Sequence, residues 1–96
     1  MSKNWEPRRL SYGQRATLIE RQDGKCYYCR RLLNVGTDDG NRDMRRAVTD
    51  HKTPHSRGGK TNMRNCVAAC RSCNSRKGAM TAKEFAAKAA AARWAK

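Results

Sequence analysis

Long apolar runs are missing from this sequence, and its first residues, Met1 to Trp5, lack the apolar stretch of a signal peptide. A membrane-spanning helix needs about 20 mostly apolar residues, so we expect no transmembrane segment. A secretory signal would also need an apolar core near the start of the chain. We therefore expect a cytoplasmic protein that does not associate with a membrane.

Hydrophobic residues are scarce as well: they make up 38% of the 96 residues, and this share includes the 6% that are aromatic. A chain of this length buries only about 60% of the surface that it exposes when unfolded. Domains with so small a core usually need a disulfide or a bound metal to stay folded. The scarcity of aromatic side chains also argues against a platform on which nucleic-acid bases stack.

Acidic residues are few: eight Asp and Glu stand against 22 Lys and Arg, which gives a formal net charge of +14. So large an excess in a short chain favours a nucleic-acid partner. The basic residues are spread along the chain without a strongly apolar helical face, so binding to a membrane surface is less favoured.

Four of the five cysteines form two C-x-x-C pairs, Cys26/Cys29 and Cys70/Cys73. Such pairs are typical of four-thiolate zinc sites, and the competing interpretation is a set of disulfides in an oxidising compartment. An odd number of cysteines and the lack of a signal peptide favour the metal, with Cys66 left over. We predict that a structural zinc ion bound by the four paired cysteines closes the loop between the pairs.

Local patterns predict short helices around two strands. Ser11 and Gln14 have the form of a capping box, which predicts a helix over 11–23. A strand is predicted over 46–52, followed by a Gly-Gly turn and a second strand over 65–69. A further helix should run past Asn74 and end at Gly78.

The same patterns divide the chain into a basic N-terminal arm, 1–10, and one folded domain, 11–96. The core of this domain is expected at 26–78, and a second capping box begins a C-terminal helix over 81–96. In that helix, Phe85 and Trp94 are expected to pack on the core.

Between Cys26 and Gly78 the chain carries, in order, Asp50-His51, Pro54, Ser56, Gly58-Gly59, Asn65 and a C-x-x-C-N-x-x-K motif from Cys70 to Lys77. This series resembles the HNH endonuclease family in its zinc-stapled form. The resemblance implies an α+β fold: a small ββα-metal domain, also called the His-Me finger, with a four-cysteine zinc site and flanking helices. In this fold a two-stranded hairpin packs on a helix and binds one divalent cation.

The resemblance also implies a role for each matching residue. His51 would be the general base, Asp50 and Asn74 the ligands of a catalytic divalent cation, and Asn65 a brace between the connecting loop and the dyad strand. Mg²⁺ or Mn²⁺ is expected because these ligands offer hard oxygen atoms. Since neighbouring strand residues point to opposite faces, we expect a bend or bulge that lets Asp50 and His51 face one site.

The implied activity is that of a metal-dependent DNA endonuclease or nickase that hydrolyses phosphodiester bonds in duplex DNA with low sequence specificity. Small members of the family occur in bacteria and phages, so we expect a bacterial or phage-infected cell and a phage packaging protein as a partner. Phosphate contacts are expected from the basic residues around the site: Arg57, Lys60, Arg71, Arg76 and Lys77.

Two alternatives remain open. The chain could be a non-catalytic zinc-binding module for nucleic acid, in which the Asp50-His51 dyad has no chemical role, or a nuclease directed at RNA. The dyad together with Asn74 favours a nuclease over the binding module, because a pure binding module has no reason to carry this set of residues.

Overall fold

The computed structural model describes residues 9–35 and 43–92. Along these residues the elements are α1 (Tyr12–Arg21), β1 (Ala47–His51), a 3₁₀ turn (His55–Arg57), β2 (Cys66–Cys70), α2 (Arg71–Lys77) and α3 (Ala82–Ala92). The two strands form one antiparallel sheet, and α2 follows β2 directly. The predicted α+β class with a ββα unit is thereby confirmed. Residues 1–8 of the predicted arm and 93–96 of the predicted last helix, including Trp94, lie outside the described residues.

Helix α1 begins at the predicted capping box. Ser11 Oγ accepts a hydrogen bond from Gln14 N at 3.1 Å, and Ser11 N donates to Gln14 Oε1 at 3.0 Å. The helix ends at Arg21, before the predicted end, because Asp23 and Gly24 adopt positive φ angles of 56° and 74° that turn the chain out of the helix. This turn directs the chain into the first cysteine pair.

The two strands pair residue for residue, from Ala47 opposite Cys70 to His51 opposite Cys66. The bulge predicted at the dyad was wrong, because the register is unbroken through both residues, and the alternative of a bend stays a prediction. In a regular strand neighbouring side chains leave towards opposite faces. Accordingly, Asp50 is buried and His51 is half-buried.

The second strand is buried along its whole length. On the edge away from β1, the side-chain amide of Gln22 pairs with the backbone of Ala68: Nε2 donates to the carbonyl oxygen at 2.8 Å, and Ala68 N donates to Oε1 at 2.9 Å. These two bonds attach the end of α1 to the sheet.

The core lies between the sheet and the helices, and its members combine aliphatic residues with the cysteine cluster. Phe85 of α3 is fully buried, as predicted, and packs edge-to-face on Tyr28 with ring centroids 5.1 Å apart. Leu10 is only 3% exposed and belongs to this core, so the packed unit includes the last residue of the predicted arm. Within the described residues, no helix combines the length and the apolar character that a bilayer span requires.

Candidate active site and metal centre

The four paired cysteines converge on one point. The sulfur atoms of Cys26, Cys29, Cys70 and Cys73 all lie within 4.8 Å of one another. The first pair lies on a tight turn closed by a hydrogen bond from Cys26 N to Arg31 O at 2.8 Å. The second pair spans the junction of β2 and α2, where the Cys70 sulfur caps the helix by accepting from Cys73 N at 3.4 Å.

Hydrogen bonds around the cluster favour a thiolate at Cys26. The pKa of Cys26 is lowered to about 4, first because the Cys73 thiol donates to its sulfur and further because the N–H groups of Cys29, Cys70 and Tyr28 point at it. The same hydrogen bond, with Cys73 as the donor, raises the pKa of Cys73. One thiol of the cluster therefore readily supplies the negative charge that a metal ligand needs.

The spacing of the sulfurs fits a tetrahedral metal ion. Zinc–sulfur bonds of about 2.3 Å place neighbouring sulfurs about 3.8 Å apart in a tetrahedron, and Cys29 Sγ lies 3.9 Å from Cys70 Sγ. The four cysteines can therefore hold a metal ion. Cys66 takes no part in this cluster, as predicted, and burial raises the pKa of its thiol.

Asp50 is buried between two polar partners. Tyr28 Oη donates to Asp50 Oδ2 at 2.5 Å, and Lys77 Nζ lies 3.4 Å from Oδ1. Burial, reinforced by the hydrogen bond to Asp50, raises the pKa of Tyr28 well above its ordinary value. Both carboxylate oxygens thus have partners, and the Lys77 ammonium already supplies one positive charge at the position predicted for a cation ligand.

Lys77 does not lie on the surface, where a phosphate contact was predicted. Its side chain is 1% exposed, and Nζ donates to His51 O at 2.8 Å while it pairs with Asp50. The predicted nucleic-acid contact of Lys77 was therefore wrong, because a buried ammonium cannot reach a phosphate. Asn74 precedes Lys77 by one turn on the same face of α2, and its half-buried side chain makes no hydrogen bond to the described residues.

His51 is held through one ring nitrogen. Its Nε2 lies 2.8 Å from Thr61 Oγ1, and the threonine is only 7% exposed. The other ring nitrogen, Nδ1, makes no hydrogen bond within residues 9–35 and 43–92. An imidazole with one nitrogen fixed and the other available can accept a proton from a bound molecule.

Asn65 connects the loop between the strands to the start of β2. Its Nδ2 donates to Thr53 O at 3.0 Å and to Lys60 O at 2.8 Å, and its Oδ1 accepts from Thr53 N at 3.0 Å. Gly59 passes so close to this network that an added Cβ would lie 1.7 Å from Thr53 O. The loop that follows the dyad is thus fixed by one side chain and by the close approach of a glycine backbone.

The other residues that were predicted to contact phosphate differ in their exposure and in their partners. Arg57 Nη1 pairs with Glu84 Oε1 at 2.5 Å, and this hydrogen bond lowers the pKa of Glu84. Lys60 and Arg76 are exposed and Arg71 is half-buried. A cleft of about 180 Å³ beside the cysteine cluster is lined by several arginines: Arg31, Arg45 and Arg76.

Sequence reasoning did not single out three residues that touch the predicted site: Tyr28, Thr61 and Glu84. Tyr28 lies inside the first cysteine pair and Thr61 lies two residues after the Gly-Gly turn, but neither position indicates which distant side chain it meets. Glu84 belongs to the capping box at the start of the last helix, and the structure adds its contact with Arg57.

Comparison with known protein families shows to which family the chain belongs. The pattern that defines HNH endonucleases matches residues 26–80, more than half of the chain. The chain belongs to the HNH endonuclease family. The matched segment of this HNH protein contains both cysteine pairs, the dyad, Asn65 and Asn74. It gives the chain a nuclease-type domain, with a function related to nucleic acid. No curated protein sequence matches the chain.

Proposed function

We propose that this HNH protein is a metal-dependent DNA endonuclease or nickase that hydrolyses phosphodiester bonds in duplex DNA. The observation that carries the proposal is the environment of His51, with Nε2 bound to Thr61 and Nδ1 open. A general base must hold its ring in place and keep one lone pair free for the proton that it removes. In a family of nucleases, that arrangement supports hydrolysis by an activated water.

In this mechanism His51 Nδ1 takes a proton from the water that attacks the scissile phosphorus. General-base assistance typically contributes about 10² to 10⁴ in rate. Asn65 keeps the loop in register with the end of β1, so the ring stays in place while the water attacks. The imidazolium then carries the proton until the leaving oxygen or bulk water accepts it.

Two metal sites accompany this chemistry. The four cysteines would hold zinc, which four thiolates close to any further ligand, so its role is structural. Asp50 and Asn74 would hold Mg²⁺ or Mn²⁺ through oxygen atoms, where the Lys77 ammonium now provides the positive charge at Asp50. Such an ion, when bound, stabilises the negative charge that builds up on the phosphate.

Positive charge supplies the affinity for DNA. A net charge of +14 and exposed residues such as Lys60 and Arg76 support contacts with phosphates rather than with bases. We expect the logarithm of the affinity for duplex DNA to fall with the logarithm of the salt concentration, with a slope of about −0.9 per phosphate contacted. The proposed setting is the cytoplasm of a bacterial or phage-infected cell, with a phage packaging protein as a candidate partner.

The decisive experiment incubates supercoiled plasmid with the zinc-loaded protein and Mg²⁺ or Mn²⁺. We expect nicked or linear product from the parent and none from His51→Ala. His55→Ala is the matched control, because this exposed histidine makes no side-chain hydrogen bond within the described residues. If the parent binds plasmid but leaves it supercoiled with both ions, the proposal fails, and single-stranded RNA tested in parallel separates the RNA nuclease from the DNA nuclease.

A second candidate function is a zinc-binding nucleic-acid module without catalysis. The observation that favours it is Asp50, which is buried, bound by Tyr28 and Lys77, and directed to the face opposite His51. In this case His51→Ala would bind DNA as tightly as the parent, and neither protein would cut it.

A further inference from the structure

We propose that Thr61 is a positioning residue that fixes the tautomer and the orientation of His51, so that Nδ1 is the nitrogen that faces the attacking water. The inference rests on the proposed nuclease function and adds to it a residue that the dyad and the asparagines do not include. It comes from the contact between the Thr61 hydroxyl and His51 Nε2.

Both partners of this contact are attached to fixed backbone. His51 closes the ladder opposite Cys66, and its carbonyl accepts from the buried Lys77 ammonium at 2.8 Å. Thr61 follows Lys60, whose carbonyl accepts from Asn65 Nδ2 at 2.8 Å. With both chains fixed and the threonine 7% exposed, a contact of 2.8 Å leaves the ring little freedom to rotate.

The proton arrangement decides which nitrogen can act. A neutral imidazole carries one N–H, so if the Thr61 hydroxyl donated to Nε2, the proton would sit on Nδ1 and that nitrogen could not accept another. If Nε2–H donates to Thr61 Oγ1, the Nδ1 lone pair is free. The absence of a hydrogen bond at Nδ1 within the described residues agrees with the second arrangement.

This arrangement also survives the proton transfer. After Nδ1 has accepted a proton from water, both ring nitrogens carry N–H, and Nε2–H still donates to the same hydroxyl oxygen. The contact between the ring and Thr61 Oγ1 is therefore the same before and after the transfer. No bond between His51 and Thr61 has to be broken or rebuilt during the reaction.

Two measurements on the zinc-loaded full chain test this role. The first assigns the His51 tautomer from long-range ¹H–¹⁵N correlations on labelled protein, and we expect the proton on Nε2 in the parent. The second measures kcat and KM for plasmid cleavage in Thr61→Val and Thr61→Ser. We expect Thr61→Val to lose about 10- to 100-fold in kcat, the loss that is typical when the hydrogen-bond partner of a metal-binding histidine is removed, with little change in KM.

The controls separate positioning from general loss of structure. Thr61→Ser keeps the hydroxyl and should retain most of kcat and the parent tautomer. Thr49→Val makes the same chemical change two residues before His51, at a hydroxyl without a hydrogen bond among the described residues, and should leave kcat unchanged. Circular dichroism melts show whether each variant is folded.

Each outcome decides the question. A proton on Nδ1 in the parent overturns the proposal whatever the variants do, and so does a folded Thr61→Val with the kcat of the parent. If the parent itself cuts no DNA, the nuclease function fails, and the tautomers of the parent and of Thr61→Val then decide alone whether the hydroxyl sets the ring. If Thr61→Val does not fold, Thr61→Ser and the parent tautomer still support or refute the assignment.

Discussion

The ion pair of Asp50 and Lys77 is buried on both sides, with side-chain exposures of 6% and 1%. Removing one member of such a pair leaves an uncompensated buried charge, which typically costs about 3 to 5 kcal/mol. We therefore expect Lys77→Met to lower the free energy of unfolding by about 3 kcal/mol. Urea denaturation of the zinc-loaded protein measures this change.

The double variant Asp50→Asn/Lys77→Met is the control for that experiment. Because it removes both charges, it should recover most of the loss, and a double variant as unstable as Lys77→Met would contradict the electrostatic explanation.

The same pair of variants also tests whether Asp50 binds the catalytic ion. If Asp50 binds Mg²⁺, the ion should raise the melting temperature of Lys77→Met more than that of the double variant.

Tyr28 makes the fold sensitive to alkali. Its pKa is raised in the folded protein, above the ordinary value of about 10. The folded protein therefore keeps a proton that the unfolded chain releases, and the contribution of Tyr28 to stability is complete below about pH 10 and is lost as the pH rises further. In this range the free energy of unfolding should fall by up to about 1.4 kcal/mol per pH unit more in the parent than in Tyr28→Phe. Equal slopes in urea unfolding would contradict this origin.

For individual residues, the sequence predicted which residue types form the site better than it predicted which residues contact each other. Two C-x-x-C pairs predicted a converging cluster, because thiols at that spacing have one common use. Lys77 was wrongly predicted to lie on the surface and contact phosphate, because lysine is almost never fully buried unless it is paired. Its partner Asp50 lies 27 positions earlier, and only the packing of α2 on β1 brings the two together.

The loop between β1 and β2 depends on a glycine that leaves no room for a side chain. An ideal Cβ at Gly59 would lie 1.7 Å from Thr53 O and 2.9 Å from Asn65 Nδ2. Gly59→Ala must therefore displace the backbone, and we expect it to lower the free energy of unfolding by about 3 kcal/mol. Gly13→Ala is the control: nothing lies within 4 Å of its added Cβ, and alanine in α1 should raise stability by up to about 1 kcal/mol. Thermal melts that ranked the two variants the other way would contradict this account of the loop.

The elements themselves were largely predictable. Two capping boxes located the starts of α1 and α3, because each satisfies orphan N–H groups through local side chains. The strand bounds came within a residue of the predicted ones. The predicted bulge was wrong because it was inferred from what catalysis would require, whereas the unbroken ladder buries Asp50 against Tyr28 and Lys77.

For the molecule as a whole, the cysteine cluster is expected to decide whether the chain folds. Structural zinc sites bind with about 10 to 16 kcal/mol, which is comparable to the whole stability of a typical domain. We therefore expect a strong zinc chelator to abolish the cooperative thermal transition, whereas removing Mg²⁺ should stop only cleavage. Circular dichroism together with a zinc determination of one ion per chain measures both.

Cys66→Ala serves as the control for the cluster. Cys66 is as buried as Cys70, at 2% exposure, but lies outside the group of four sulfurs. Its variant should still bind one zinc ion and melt cooperatively, whereas Cys70→Ala should lose both properties. A Cys70→Ala protein that still melts cooperatively in the presence of the chelator would show that the core alone sustains the fold.

Gln22 gives the sheet a property that concerns other copies of the chain. A two-stranded sheet has open edges, and unpaired N–H and C=O groups at an edge invite a strand from a neighbouring molecule. At Ala68 this capacity is already filled by the Gln22 amide, which bonds both backbone groups, and by Tyr27 N, which donates to the same carbonyl oxygen at 3.0 Å. The residue that follows α1 thus helps to prevent a strand of another molecule from pairing with the outer edge of β2. It does so without adding a strand to the fold.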